Sequence, residues 1–258
     1  MCGRYASSRE PDDLVEEFDV VRSEVGAGIP PDWNVAPTKE VYAVLERPPA
    51  PERDRPQAER QLRVLTWGLV PSWAKDPSIG SRMINARTET VAEKPAFRKA
   101  FASRRCLLPA DGYYEWYAAP AVEEGGGGAR SKPRKQPFYI RPADGGVLAL
   151  AGLYEIWRDP ARADDDPLRF RWTCTVLTTT AEDALGRIHD RMPLLVEPAR
   201  RDAWLDPTVS GADRLDLLVP AAPGRLVAQP VSTLVSNVRN NGPELTEPIP
   251  LTEALVEA

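Results

Sequence analysis

The sequence predicts an α+β fold, a single domain with a curved, mostly antiparallel β-barrel-like core and short helices at its periphery. Three observations carry this. Short apolar stretches bounded by Gly, Pro and Asp recur along the 258 residues, helical patterns are few and short, and the regular β–α alternation of a parallel sheet is missing. The length suits one large domain or two small ones and is ample for a real core. No internal repeat divides the chain, and the reading is one domain over residues 1–258.

Each element has a local reason. Residues 11–21 read as a helix with Leu14, Val15 and Phe18 on one face. Asp32 through Thr38 reads as a polar turn leading into an apolar strand at 41–45. Residues 48–61, rich in Pro and charge, read as a mobile surface loop. A strand over 62–70 carries Trp67-Gly68, and a polar loop then leads to Ile84-Asn85-Ala86-Arg87. Residues 89–103 look helical despite Pro95, with Phe97 and Phe101 spaced i, i+4.

Cys106 to Trp116 is strand, turn, strand. The tract 118–136, with four consecutive glycines at 125–128, reads as a mobile hairpin tip whose flanks, 113–117 and 138–141, are partner strands. Strands at 147–156 and 170–177 enclose a third mobile loop, 159–167, rich in Asp and Pro. Thr180 with Asp183 resembles a capping box opening a short helix that ends near His189, and Trp204 lies in a second short helix. Two further strands are expected at 224–231 and in the segment leading to Ser236-Asn237.

Composition narrows the function classes. Hydrophobic content of 42% and charged content of 28% are ordinary for a soluble globular protein. No apolar run reaches the ~18–20 residues of a membrane span, and no signal-peptide core precedes the acidic stretch at 10–17. Cys2, Cys106 and Cys174 are too few and too scattered for a disulfide framework or a zinc site, so a reducing, cytoplasmic setting without metal is expected. A net charge of −5 argues against indiscriminate nucleic-acid binding by the whole surface. It leaves room for a local basic groove. Arg82, Arg87, Lys94, Arg98, Lys99, Arg104 and Arg105 stand against only Glu89 and Glu93, a local +5. Trp67 and Trp73 precede that stretch and Trp116 follows it. Charge runs are usually solvated faces, but cations interleaved with aromatics are also what single-stranded nucleic acid needs for its phosphates and bases.

Four positions could carry chemistry. Methionine aminopeptidases generally remove Met1 when the next side chain is small, which leaves Cys2 with an α-amine and a thiol on adjacent carbons. Both keep some nucleophilic form near neutral pH. The amine can form a Schiff base with an aldehyde, and the thiol can then close on the imine carbon to give a thiazolidine. His189 is the one histidine; it reads either as a surface residue at a helix end or as a proton carrier crowded by Arg187, Asp190 and Arg191. Glu115, inside Tyr113-Tyr114-Glu115-Trp116-Tyr117, either faces solvent or is held against aromatic walls that raise its pKa. Asn85 is a turn former or a hydrogen-bonding site residue beside Arg87.

Read together, Met-Cys-Gly-Arg-Tyr at the start, Asn34-Val-Ala-Pro-Thr, Trp67-Gly-Leu-Val-Pro-Ser-Trp73, Ile84-Asn-Ala-Arg-Thr-Glu89, Gly112-Tyr-Tyr-Glu-Trp116, Ile188-His-Asp-Arg-Met-Pro193 and Asn240-Asn-Gly-Pro-Glu244 closely resemble the SOS-response-associated peptidase (SRAP) family. The resemblance covers nearly the whole chain. It implies a single α+β domain with a barrel-like core and a positively charged groove. It also implies crosslinking to abasic sites in single-stranded DNA, which shields the lesion during replication. The family's nucleophile falls on Cys2, its asparagine on Asn85, its glutamate on Glu115 and its histidine on His189. Its DNA-contacting arginines match Arg4, Arg87 and Arg191, and its base-wedging tryptophan region matches Trp67-Gly68. The resemblance implies no cofactor and no metal, and a monomer that meets abasic single-stranded DNA, the replication machinery and the nucleoid but no membrane. Met1 removal would be peptidase-like, and lyase-type chemistry could accompany the crosslink. Two rival readings share these residues: a thiol autopeptidase built on Cys2, His189 and Glu115, and a non-covalent single-strand binding module.

Overall fold

The computed structural model describes residues 2–47, 58–118, 135–210 and 212–250. Its strands are β1 (Tyr5–Ser7), β2 (Arg22–Glu24), β3 (Asp32–Val35), β4 (Glu40–Arg47), β5 (Glu59–Trp67), β6 (Asn85–Arg87), β7 (Arg105–Ala110), β8 (Gly112–Ala118), β9 (Lys135–Pro142), β10 (Leu148–Arg158), β11 (Phe170–Thr180), β12 (Arg191–Pro193) and β13 (Leu226–Pro230). Four short helices accompany them: α1 (Pro11–Glu17), α2 (Arg98–Ser103), α3 (Asp183–Gly186) and α4 (Arg201–Leu205). The fold is α+β and mostly sheet.

Five strands close into a ring in the order β11-β10-β7-β4-β5, sealed by a β5–β11 pairing with Thr66 opposite Thr173 and Trp67 opposite Cys174. The first four pairings of the ring are antiparallel and the sealing one is parallel. An odd number of strands cannot alternate direction all the way round, so one parallel pair is a geometric necessity. A second sheet, β13-β9-β8-β1-β3, lies beside the ring.

Side chains alternate along each ring strand, and the two faces bury into two different clusters. Val41, Ala43 and Leu45 of β4, Leu65 and Trp67 of β5, Cys106 and Leu108 of β7, and Cys174 and Val176 of β11 join Cys2, Tyr5, Val35, Tyr113, Phe138 and Ile140 in one core. The opposite set, including Tyr42, Val44, Leu62, Leu107, Leu153 and Leu177, is covered by Leu14 and Phe18 of the α1 region, Phe97 and Phe101 around α2, and Trp204 of α4. The first core matters most here, because the amino-terminal residues thread into it.

Several local expectations are corrected by tertiary contacts. The first helix stops at Glu17, where Phe18 caps it and Asp19 turns with φ 51°. Asp32–Val35 is a strand rather than a turn, because β1 pairs with it (Tyr5 opposite Val35). Only Arg98–Ser103 of the 89–103 stretch is helical, which starts the helix beyond Pro95. The capping box does not form: Thr180 belongs to β11 opposite Arg191, and Glu182 is the cap residue without a side-chain bond. The segment before Asn237 is a 3-10 turn, Thr233–Ser236, rather than a strand.

The flanks of the Gly-rich tract pair as expected, with Tyr113 opposite Ile140 and Tyr117 opposite Gln136. Residues 48–57 and 119–134, assigned above to mobile loops, lie outside the described residues, whereas Glu59–Gln61 belong to β5. In the third loop, buried Asp159 holds Arg171 at 3.1 Å and Arg162 at 3.6 Å.

Candidate active site at the amino terminus

The site is assembled where the chain start runs into the first core. Cys2 is fully buried. Its backbone carbonyl accepts a 2.8 Å hydrogen bond from Asn85 Nδ2. Asn85 opens β6, which lies parallel to β11 with Asn85 opposite Val176. The ring strand therefore sets the height of the asparagine, and the asparagine sets that of Cys2.

Glu115 reaches the same place from β8. That strand pairs with β1 (Tyr5 opposite Tyr113), so Tyr113 and Glu115, two residues apart, lie on the same face of the sheet. Glu115 is only 4% exposed, which decides its role: this carboxyl is not the solvent-facing member of the strand. Burial holds its pKa above the usual carboxylate range. The chain's amino terminus and His189 pull it down, and Asp190 pushes it up. The Cys2 thiol is raised more strongly, first by burial and then by the Glu115 charge.

His189 follows α3 on a tight turn, with its Nδ1 accepting a 2.9 Å hydrogen bond from the Arg191 backbone N–H. Asp190 Oδ1 is 2.9 Å from the same nitrogen. Thus Cys2, Asn85, Glu115 and His189, spread over 187 positions of sequence, converge on one end of the first core. Among the described residues no cluster of His, Cys, Asp or Glu has the makings of a metal site.

The residues expected to meet DNA divide into exposed and engaged groups. Arg87 is exposed and has no ion-pair partner among the described residues. Arg4 is half-buried, its Nη1 donating to Asn34 Oδ1 at 2.5 Å and to the Val235 carbonyl at 2.8 Å, with Trp116 5.7 Å beneath its guanidinium. Arg191 makes a two-pronged pair with Glu89, at 2.5 and 3.0 Å, and donates to the Thr178 carbonyl at 2.6 Å. That pairing holds the Glu89 carboxyl down at about 2.

Trp67 is 0% exposed, packs 5.2 Å from Tyr5 and donates Nε1–H to the Ile84 carbonyl at 2.9 Å. As placed it cannot stack on a base. The solvent-facing tryptophan of that motif is Trp73, at 56%. Gly68 does have a backbone reason to be glycine: its φ is 132°, and a Cβ there would stand 2.7 Å from the Gly80 carbonyl oxygen. The basic stretch is also thinner than its composition suggests. Arg104 pairs with Glu155 at 2.8 Å, and buried Arg105 donates to the Trp204, Phe101 and Asp206 carbonyls. Arg82, Arg87, Lys94, Arg98 and Lys99 are exposed.

Sequence reasoning missed Asn34 as an organiser. Fully buried, it donates Nδ2–H to the Asn237 and Asn240 carbonyls at 3.0 and 2.8 Å while accepting from Arg4. The signal was present, because Asn34 and Asn240 each open a distinct motif; their meeting was not visible. Tyr5 and Tyr113, both fully buried in the first core, were likewise not singled out.

This chain belongs to the SOS response associated peptidase (SRAP) family, whose profile it matches over residues 1–238. Among its relatives, the abasic site processing protein YoqW of Bacillus subtilis (strain 168) is 37% identical over 249 residues, covering 96% of this chain and 99% of that one. The abasic site processing protein HMCES of Xenopus tropicalis is 30% identical over 289 residues, covering 98% of this chain and 80% of that one. A crystal structure of a protein from Bacteroides thetaiotaomicron shares the fold, with a TM-score of 0.75 at 23% identity over 96% of this chain and all of that one. No helix among the described residues is long and apolar enough to cross a membrane.

Proposed function

We propose that this protein processes abasic sites in single-stranded DNA by forming a covalent thiazolidine through Cys2 once Met1 has been removed. The observation that carries the reading is the juncture of a buried Glu115, whose proton affinity burial raises, with a Cys2 whose carbonyl Asn85 fixes at 2.8 Å. The names of the relatives point to the same lesion.

The chemistry follows from the lesion. An abasic sugar is mostly a closed hemiacetal, so a proton must reach the ring oxygen as the C1′ hydroxyl gives one up and the ring opens to an aldehyde. His189 is the donor for that step. Glu115 takes a proton from the Cys2 α-ammonium; the freed amine attacks C1′ to give a carbinolamine. Returning that proton expels the carbinolamine oxygen as water and leaves an imine. The thiol sulfur then bonds to the imine carbon as the S–H proton leaves, closing the ring. Aldehyde and cysteine thus become thiazolidine and one water. A Schiff base alone invites β-elimination and strand scission, and ring closure removes that path.

Exposed Arg87, with Arg4 and Arg191 around the same end, supplies phosphate contacts, and Asn85 steadies the sugar or the amine. The direct test is intact mass after mixing the mature protein with an abasic single-stranded oligonucleotide. A stable adduct equal to protein plus DNA minus one water is expected, and none with the intact-base control. Adduct formation by protein that retains Met1 would overturn the mechanism.

A further inference from the structure

One of the arginines expected to meet DNA already holds an anion of the protein's own. Arg191 grips the Glu89 carboxylate with two hydrogen bonds, Nη1 to Oε1 at 2.5 Å and Nη2 to Oε2 at 3.0 Å. Its Nη2 donates again to the Thr178 carbonyl at 2.6 Å. Its Nε is buried and has no partner among the described residues, so the Nη edge is the one that takes an anion. The Arg191 side chain is 12% exposed and that of Glu89 50%, which puts the carboxylate outermost and the guanidinium beneath it.

Register fixes where this pair sits. Arg87 stands opposite Thr178 in the β6–β11 pairing, and the Thr178 carbonyl accepts from both the Thr88 backbone N–H and Arg191 Nη2. The Arg191 fork therefore lies against the end of β6, beside exposed Arg87, and Glu89 reaches over it from just beyond that strand. A guanidinium fork binds carboxylate and phosphate in the same way, by two parallel N–H···O bonds to two oxygens of one anion. A phosphate arriving at Arg87 thus finds the neighbouring fork filled by an anion that binds as it would itself. The two cannot share that edge, and Glu89, its carboxyl held down at about 2 by Arg191, stays charged at neutral pH.

We propose that Glu89 is a specificity-determining residue that occupies the Arg191 fork in the seat of a backbone phosphate, so that a strand must displace it to dock fully. This rests on the reading of single-stranded DNA as the ligand. Breaking a half-exposed ion pair weakens binding by roughly fivefold. An intact strand meets that penalty at every encounter, whereas capture at an abasic site is covalent and is not undone by it. Glu89 thereby shortens the stay on undamaged DNA.

The experiment compares Glu89→Ala with Glu93→Ala in mature full-length protein. Glu93 is exposed and has no ion pair among the described residues, so its loss changes the net charge equally without freeing an arginine. Affinity for an intact single-stranded oligonucleotide is read by fluorescence anisotropy across a salt series. Glu89→Ala should bind roughly fivefold tighter at low salt, and its log–log slope should steepen by roughly 0.7, one further phosphate being neutralised. Glu93→Ala should keep the wild-type slope. In an Arg191→Gln background Glu89→Ala should no longer tighten binding, because the fork it would free is gone. Intact oligonucleotide should also inhibit crosslinking to abasic oligonucleotide at lower concentration in Glu89→Ala than in wild type. Without DNA, phenylglyoxal should modify Arg191 faster in Glu89→Ala, by peptide mass spectrometry, while Arg87 reacts alike in both.

Binding by Glu89→Ala that is no tighter than wild type, with an unchanged slope, would overturn the proposal: the pair would then only hold Arg191 in place. Should Glu89→Ala fail to fold, Glu89→Gln keeps the volume, removes the charge and carries the same test. If neither wild type nor variant binds single strands in a salt-dependent way, the DNA reading fails and the exchange with it. If wild type binds and only the tightening is missing, the exchange alone falls.

Discussion

Glu115→Gln separates chemistry from binding and tests the electrostatics of the site at the same time. The carboxyl is 4% exposed and its pKa lies above the ordinary carboxylate range because burial disfavours the charge. The folded protein therefore holds this proton more tightly than the unfolded chain does. The resulting penalty is absent below the unfolded midpoint near ~4.3, grows as pH rises through the folded midpoint, and is fully present above it. Every pH unit of displacement corresponds to about 1.4 kcal/mol. In a chain of this size 1 kcal/mol moves the melting midpoint by roughly 2–4 °C. Glu115→Gln should thus melt higher than wild type at pH 7.5 and level with it at pH 4, by differential scanning fluorimetry. Its adduct formation with abasic oligonucleotide should slow by about 10²-fold or more, the contribution expected of a positioned acid/base. Affinity for intact single strands, by fluorescence anisotropy, should be unchanged. A Gln variant that crosslinks at the wild-type rate, or melts lower at pH 7.5, would refute the assignment of a buried proton carrier.

Other perturbations probe the remaining parts. Cys2→Ser keeps the amine but loses the good nucleophile, so its product should need borohydride for trapping; a stable unreduced crosslink would sink the thiazolidine assignment. Arg87→Glu should weaken binding to single strands and flatten the log–log salt slope by roughly 0.7 for each phosphate no longer neutralised, measured by titration at several salt concentrations. Glu89→Gln removes a half-exposed partner of Arg191, so it should cost at most ~1 kcal/mol in urea melts at pH 7. That cost should fade as pH falls from the unfolded midpoint near ~4.3 towards the folded value of about 2, where wild type loses the charge as well. Trp67→Ala should destabilise the fold by roughly 3–5 kcal/mol, whereas Trp73→Ala should leave urea melts unchanged and weaken single-strand binding.

Elements whose signals are local were legible from the chain alone. Alternation of apolar residues placed the ring strands within a few positions, and the two aromatic-rich flanks of the Gly tract could be read as partners because a hairpin joins near neighbours. Cys2, Asn85, Glu115 and His189 could be singled out because each residue type at its place carries chemistry. Tertiary structure settled what lies far apart in sequence. The parallel sealing of the ring brings Trp67 against Cys174, and it turned a tryptophan read as a DNA wedge into core. Arg191 meets Glu89 across 102 positions, so an apparently free cation is held. Asn34 meets Asn240 across 206, which joins two motifs that had no visible connection. Tyr5 and Tyr113 show the limit most clearly: a period-2 pattern says that a side chain points inward, but only the packed neighbours reveal whether its hydroxyl finds a partner. Pairing over such distances is chosen by the closure of the whole sheet, and no window of sequence contains that information.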